Sequence, residues 1–179
     1  EVLPGIFLGP YCVAAKSKLN FLLEKGITHI ICIRQEMEAN FVKPNFPNNF
    51  VYLVLSIADK ATENIIGYFP MVRKFLDDCQ SANGKVLIHG NTGISRSAAL
   101  LIAYVMETYG ITYSDAFIYV QKKRFCINPN EGFAQQLKEY EPIYLANYQM
   151  KQFNSKEPLG HRESVKRAYE GDVEEMQCS

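Results

Sequence analysis

From Val86 to Ser97 the chain reads Val-Leu-Ile-His-Gly-Asn-Thr-Gly-Ile-Ser-Arg-Ser, and no other segment is so well suited to gripping a phosphate. Gly90 and Gly93 permit backbone angles closed to other residues. Successive N–H groups from Gly90 through Asn91, Thr92, Gly93, Ile94 and Ser95 to Arg96 can therefore converge on one point as an anion nest. That nest lies where a helix is expected to begin, at the positive end of its dipole. Arg96 adds a planar fork matched to two phosphate oxygens, and charge-assisted bidentate pairs are among the stronger polar contacts. Glycine-rich turns alone carry little weight, because many strand-to-helix turns need glycine on steric grounds. The weight here comes from His89, Gly90, five residues, then Arg96 and Ser97.

The elements that must hold this turn follow from hydrophobic patterning. Lys85–His89 is a short β-branched apolar run, which places a buried strand at Lys85–Ile88, and Ser97–Met106 is apolar on every side, as a core helix over Ser97–Tyr109 would be. Further strands are expected at Val2–Leu8, His29–Ile33 and Phe50–Leu55, and further helices at Ala14–Lys25, Glu63–Gln80, Tyr113–Phe125 and Glu131–Tyr148. Thr112 with Asp115 makes a cap for the fourth helix, whose Tyr113, Ala116, Phe117 and Val120 share a face. The alternation predicts an α/β fold, with a mostly parallel sheet flanked by helices and a ligand beyond the carboxyl ends of its strands.

His89 to Ser97 resembles the signature His-Cys-x-x-Gly-x-Ser-Arg-Ser of the dual-specificity protein phosphatases, with Gly90 where that family carries its nucleophilic cysteine. Val2-Leu3-Pro4-Gly5-Ile6-Phe7-Leu8-Gly9, Gly26-Ile27-Thr28-His29-Ile30-Ile31, Ala103-Tyr104-Val105-Met106 and Asn128-Pro129-Asn130-Glu131-Gly132-Phe133 extend the likeness from about Val2 to Tyr148. The resemblance implies the cysteine-phosphatase fold. The missing cysteine places the chain with the family's pseudophosphatases, which bind phosphorylated proteins without hydrolysing them. Removing a thiolate about 4 Å from a phosphate relieves a repulsion on the order of several kcal/mol at an effective dielectric of about 20.

By that resemblance, Asp59 in Ser56-Ile57-Ala58-Asp59-Lys60 stands where active members keep their general acid, although an aspartate before a helix is by itself an ordinary cap or loop residue. His89 is expected to steady the loop through a backbone hydrogen bond, and Ser97 to cap the helix or brace the turn. Arg96 has little purpose without an anion or a carboxylate to meet, and ligand binding is the expected role. Lys122, Lys123 and Arg124 read as a solvated basic cluster at a helix end. The Arg34–Phe50 segment, with Glu36 and Glu38, is expected to wall a shallow cleft.

With 179 residues, 47% of them hydrophobic, the chain suits one well-packed domain. Nineteen basic residues balance nineteen acidic ones, so no sequence-wide field attracts nucleic acid or a membrane surface. Cys12, Cys32, Cys79, Cys126 and Cys178 are scattered without a C-x-x-C pair, so neither a disulfide framework nor a metal site is expected, and Cys32 reads as a buried hydrophobe. No apolar stretch is long enough to span a bilayer. Residues 1–148 are expected to form the domain and 149–179 a flexible polar tail.

The expected function is that of an inactive phosphatase domain reading phosphorylated Ser, Thr or Tyr in proteins. Gly90–Arg96 would hold the phosphate, His89 and Ser97 would support it, and no cofactor is needed. The resemblance implies a monomer of the cytoplasm and nucleus, with mitogen-activated protein kinases and ubiquitin-ligase components as partners. The alternative is a phosphate-independent interaction scaffold with a vestigial pocket.

Overall fold

The computed structural model describes residues 1–154, and within them an α/β sandwich follows the expected alternation. Strands β1 (Ile6–Pro10), β2 (His29–Arg34), β3 (Val51–Ser56) and β4 (Val86–Gly90) form one sheet in the order β1-β4-β2-β3, with every pairing parallel. All five residues of β4 are buried, which is why Val86, Leu87 and Ile88 are apolar in succession rather than alternating with polar residues.

One face of the sheet carries α2 (Phe69–Ser81), α3 (Arg96–Tyr109), α4 (Tyr113–Lys123) and α5 (Glu131–Asn154). Helix α3 is the centre of this layer, packed against α2, α4, α5 and the sheet, and its residues from Arg96 to Met106 are all buried. The other face is covered by α1 (Leu19–Glu24) and the loop after β2, through Leu22, Ile27, Phe46 and Phe50. Helix α3 stops at Gly110, which takes φ +66°, and α4 starts with Thr112 accepting a hydrogen bond from the Asp115 amide, as its sequence indicates.

Several boundaries differ from expectation for local reasons. The first strand begins at Ile6 because Pro4-Gly5 makes a turn, with Gly5 at φ +75°, that folds Leu3 back onto Ile6. Helix α2 begins at Phe69 instead of Glu63: Pro70 has no N–H for residue 66, and its ring would clash with that residue's carbonyl, so an α-helix cannot run through from 63. A single turn of 3-10 helix, Ile66–Tyr68, leads into it. The first helix shrinks to six residues because Ala15 is extended, ψ 156°, between two 3-10 turns. Helix α5 continues through Asn154, so residues 149–154 are helical where a tail was expected. The rest of that tail, 155–179, lies outside the described residues.

Gly93 and Gly90 differ sharply. Gly93 has φ +70°, and a Cβ there would lie 2.8 Å from the Pro10 nitrogen and closer still to the Gly9 carbonyl. Gly90 is the last residue of β4, with no positive φ, so the conformational freedom expected of it is not used. A Cβ on Gly90 would meet Ser97 Oγ at 3.6 Å and Ile33 O at 3.7 Å, which is ordinary contact. In urea titrations Gly93→Ala should lose at least about 2 kcal/mol of stability. Gly90→Ala should stay within about 1 kcal/mol of the parent.

Candidate functional site

The loop joining β4 to α3 uses its backbone asymmetrically. Every carbonyl from residue 91 to 95 has a donor: Asn91 O accepts from Tyr11 N at 2.9 Å, Ile94 O from Asn128 N at 2.9 Å, and Ser95 O from Ala99 N at 2.8 Å. Thr92 O and Gly93 O accept from the Arg124 guanidinium at 3.3 and 3.0 Å. The N–H groups of Asn91, Thr92, Gly93, Ile94 and Ser95, in contrast, donate to no acceptor among the described residues. A turn with filled acceptors and unused donors at the start of a 14-residue helix has the geometry that can receive negative charge.

Arg124 therefore acts as a brace, not as the solvated charge its place in a basic run suggested. It reaches across from the end of α4 and fixes the two loop carbonyls nearest Gly93. Lys123 lies over the Tyr119 ring at 5.9 Å.

Arg96 is 7% exposed and meets a carboxylate inside the protein. Its Nη1 donates to Glu38 Oε2 at 2.5 Å and its Nη2 to Glu38 Oε1 at 2.9 Å, a bidentate pair, while Nη1 also donates to Ile57 O at 3.1 Å. Glu38 is 5% exposed and sits at the end of a 3-10 turn, Glu36–Glu38, where it also accepts from the Gln35 amide at 2.8 Å and from the Asn91 side chain. Hydrogen bonding from Arg96 holds its carboxyl below the usual glutamate range against the opposing effect of burial. The sequence placed Glu38 in a cleft wall without assigning it a partner.

Asp59 follows β3 and reaches the same turn. Its Oδ1 accepts from Ser95 Oγ at 2.7 Å and from Asn130 Nδ2 at 2.8 Å, and its Oδ2 lies 3.7 Å from Arg96 Nε. The Asn130 amide in turn donates to Ser95 Oγ at 3.2 Å, so the start of α5, the loop and the Asp59 segment are tied together. Asn130, quoted only as part of a motif, is a member of the site that sequence reasoning did not single out.

His89 is fully buried in β4, and burial pulls its pKa down to about 4, so the ring is neutral at pH 7. Its Nδ1 faces Gly90 O at 3.3 Å, in keeping with a loop-steadying contact, whereas its Nε2 has no partner among the described residues. Ser97 departs from expectation. It lies inside α3, after the Ser95 cap position, and caps nothing; its hydroxyl is buried without a hydrogen-bond partner among the described residues.

These contacts change what a substitution at Arg96 means. Arg96→Ala strands Glu38 as a buried, uncompensated charge, and the expected loss is about 3–5 kcal/mol. Arg96→Ala/Glu38→Gln should regain much of it, measured by urea unfolding at pH 7. Because Glu38 is depressed in the folded state, the pair's stabilisation is present above the ordinary glutamate range and is lost as pH falls through the lowered value. The stability gap between parent and double variant should therefore close in acid.

With this geometry in place, comparison with known proteins gives a consistent picture. The profile of the dual specificity phosphatase catalytic domain matches residues 6–143. The serine/threonine/tyrosine-interacting protein of Mus musculus is 58% identical over 182 residues, covering 96% of this chain and 80% of that protein. The crystal structure of human tyrosine phosphatase-like serine/threonine/tyrosine-interacting protein matches with a TM-score of 0.80 at 66% identity, over 81% of this chain and 96% of that one. A mouse putative dual specificity phosphatase complexed with zinc tungstate matches with a TM-score of 0.72 at 25% identity, over 82% of this chain and 88% of that one. The four-stranded parallel sheet, the β4-to-α3 loop and these similarities together establish that this chain belongs to the dual specificity phosphatase family.

Proposed function

We propose that this chain is a non-hydrolysing member of its family that binds phosphorylated segments of partner proteins through the loop from Gly90 to Arg96. The observation that carries this reading is the asymmetry of the loop, whose carbonyls are all satisfied and whose amides from Asn91 to Ser95 are all unused. Amides held in place without an internal acceptor are left to water, and a phosphoryl group could take the place of that water at several of them at once. The lack of hydrolysis follows from Gly90, which has no side chain to attack phosphorus. A relative of the same fold complexed with tungstate, a tetrahedral oxyanion, supports the same ligand chemistry here. Mitogen-activated protein kinases and ubiquitin-ligase components are the partner classes to examine first, in cytoplasm and nucleus.

The bidentate Arg96–Glu38 pair favours one other reading, in which the pocket is vestigial and partners dock without a phosphate. Capture from a cell lysate separates the two. The immobilised protein should retain phosphoproteins that are lost when the lysate is first treated with a phosphatase, or when tungstate is added as competitor. An unchanged set of retained proteins after both treatments would establish the scaffold reading instead.

A further inference from the structure

Arg96 uses three of its five N–H groups on Glu38 and Ile57 O, so only its Nε and one Nη2 hydrogen remain to meet a ligand. The pair is neutral as a unit. Attraction for an anion therefore rests on the loop amides, the start of α3 and the two remaining Arg96 hydrogens, and any further side-chain donor has to come from elsewhere.

Two buried polar atoms next to Gly90 are unmatched. Ser97 is 1% exposed, its Oγ has no hydrogen-bond partner among the described residues, and it lies 3.6 Å from the position a Cβ on Gly90 would take. His89 Nε2 is likewise buried and unmatched. Leaving a hydroxyl buried and unpaired is costly in a packed interior, and structures rarely tolerate it unless something completes the bond. The place that would hold a side chain at residue 90 is roomy enough for a Cβ at ordinary contact distances, and Ser97 borders it.

We infer that the Ser97 hydroxyl is a further side-chain donor to a bound tetrahedral oxyanion, whose innermost oxygen occupies the room left by Gly90. The inference rests on the phosphate reading of the loop and assigns it a residue that otherwise has no structural partner. The ligand class is a phosphate monoester or an inorganic analogue of the same shape and charge. Its outer oxygens meet the amides of Asn91 to Ser95, and the inner one accepts from Ser97. Arg96 keeps its bonds to Glu38 and offers only its Nε and its other Nη2 hydrogen.

Tungstate titration by calorimetry on the full chain tests this with three variants. Ser97→Ala should weaken binding about ten-fold or more, as expected for losing one hydrogen bond to a charged group. It should also hold or raise the melting temperature, since it removes an unmatched hydroxyl, whereas a structural serine would lower it. Ser97→Thr, which restores a hydroxyl, should recover most of the affinity. Gly90→Ala should weaken binding by filling the floor while the protein stays folded. If the parent binds tungstate and Ser97→Ala and Gly90→Ala bind it equally well, the assignment of Ser97 is overturned and the phosphate reading survives. If the parent binds neither tungstate nor phosphopeptides, both fall.

Discussion

A guanidinium taken out of water must be met by acceptors, and in this protein Arg96 is that guanidinium. Glu38 from the turn after β2 and Ile57 O just past the end of β3 accept from it, and the Asp59 carboxylate stands 3.7 Å from its Nε. The first residue of the central helix α3 is thereby fixed to the carboxyl ends of two strands. The unused amides of the preceding loop inherit their position from that anchoring. A buried pair of this kind is not by itself a source of stability, because desolvation offsets most of the attraction. Its value lies in fixing one arrangement, since neither partner can leave without stranding the other.

In the proposed function the same loop separates holding a phosphate from cleaving it. Holding needs donors fixed in place, and these come from the backbone: Gly93 against the Gly9 carbonyl, Arg124 and Asn128 on the loop carbonyls, Asn130 and Asp59 on Ser95. None of these contacts uses a side chain at residue 90. Cleaving needs a nucleophile there, and the chain has Gly90. A single position can therefore lose the chemistry while the backbone that shapes the anion site stays the same. Removing a thiolate also removes a like charge from beside the ligand, which favours retention over turnover.

Much of this was legible in the sequence because it is local. The strand-turn-helix at Val86–Tyr109, the glycine at residue 93 and the Thr112 cap each depend on residues a few positions apart. What escaped depends on pairs far apart in the chain. Glu38 and Arg96 are 58 residues apart, and nothing in the run Gln35-Glu36-Met37-Glu38 distinguishes the carboxylate that turns inward from the one that does not. Arg124 read as one of three basic residues because its target, a carbonyl 31 residues earlier, is a backbone atom with no sequence signature. Gly90 looked like a turn glycine, and only the backbone angles distinguish it from Gly93. Helix α5 outran its expected end because six further polar and apolar residues carry no stop signal, and the internal Pro142 had not ended it either.

The most direct test of a cradle that lacks only its nucleophile is to supply one. In Gly90→Cys the new thiol would stand beside Ser97 Oγ and the unused amides at the start of α3, surroundings that favour a thiolate. The thiolate would attack phosphorus and expel the ester oxygen, which takes its proton from Asp59. Water would then hydrolyse the thiophosphate. The account predicts vanadate-sensitive turnover of an aryl phosphate by Gly90→Cys, none by the parent or by Gly90→Ser, and a slower rate in Gly90→Cys/Asp59→Asn. A folded Gly90→Cys that binds vanadate yet turns over nothing would contradict it.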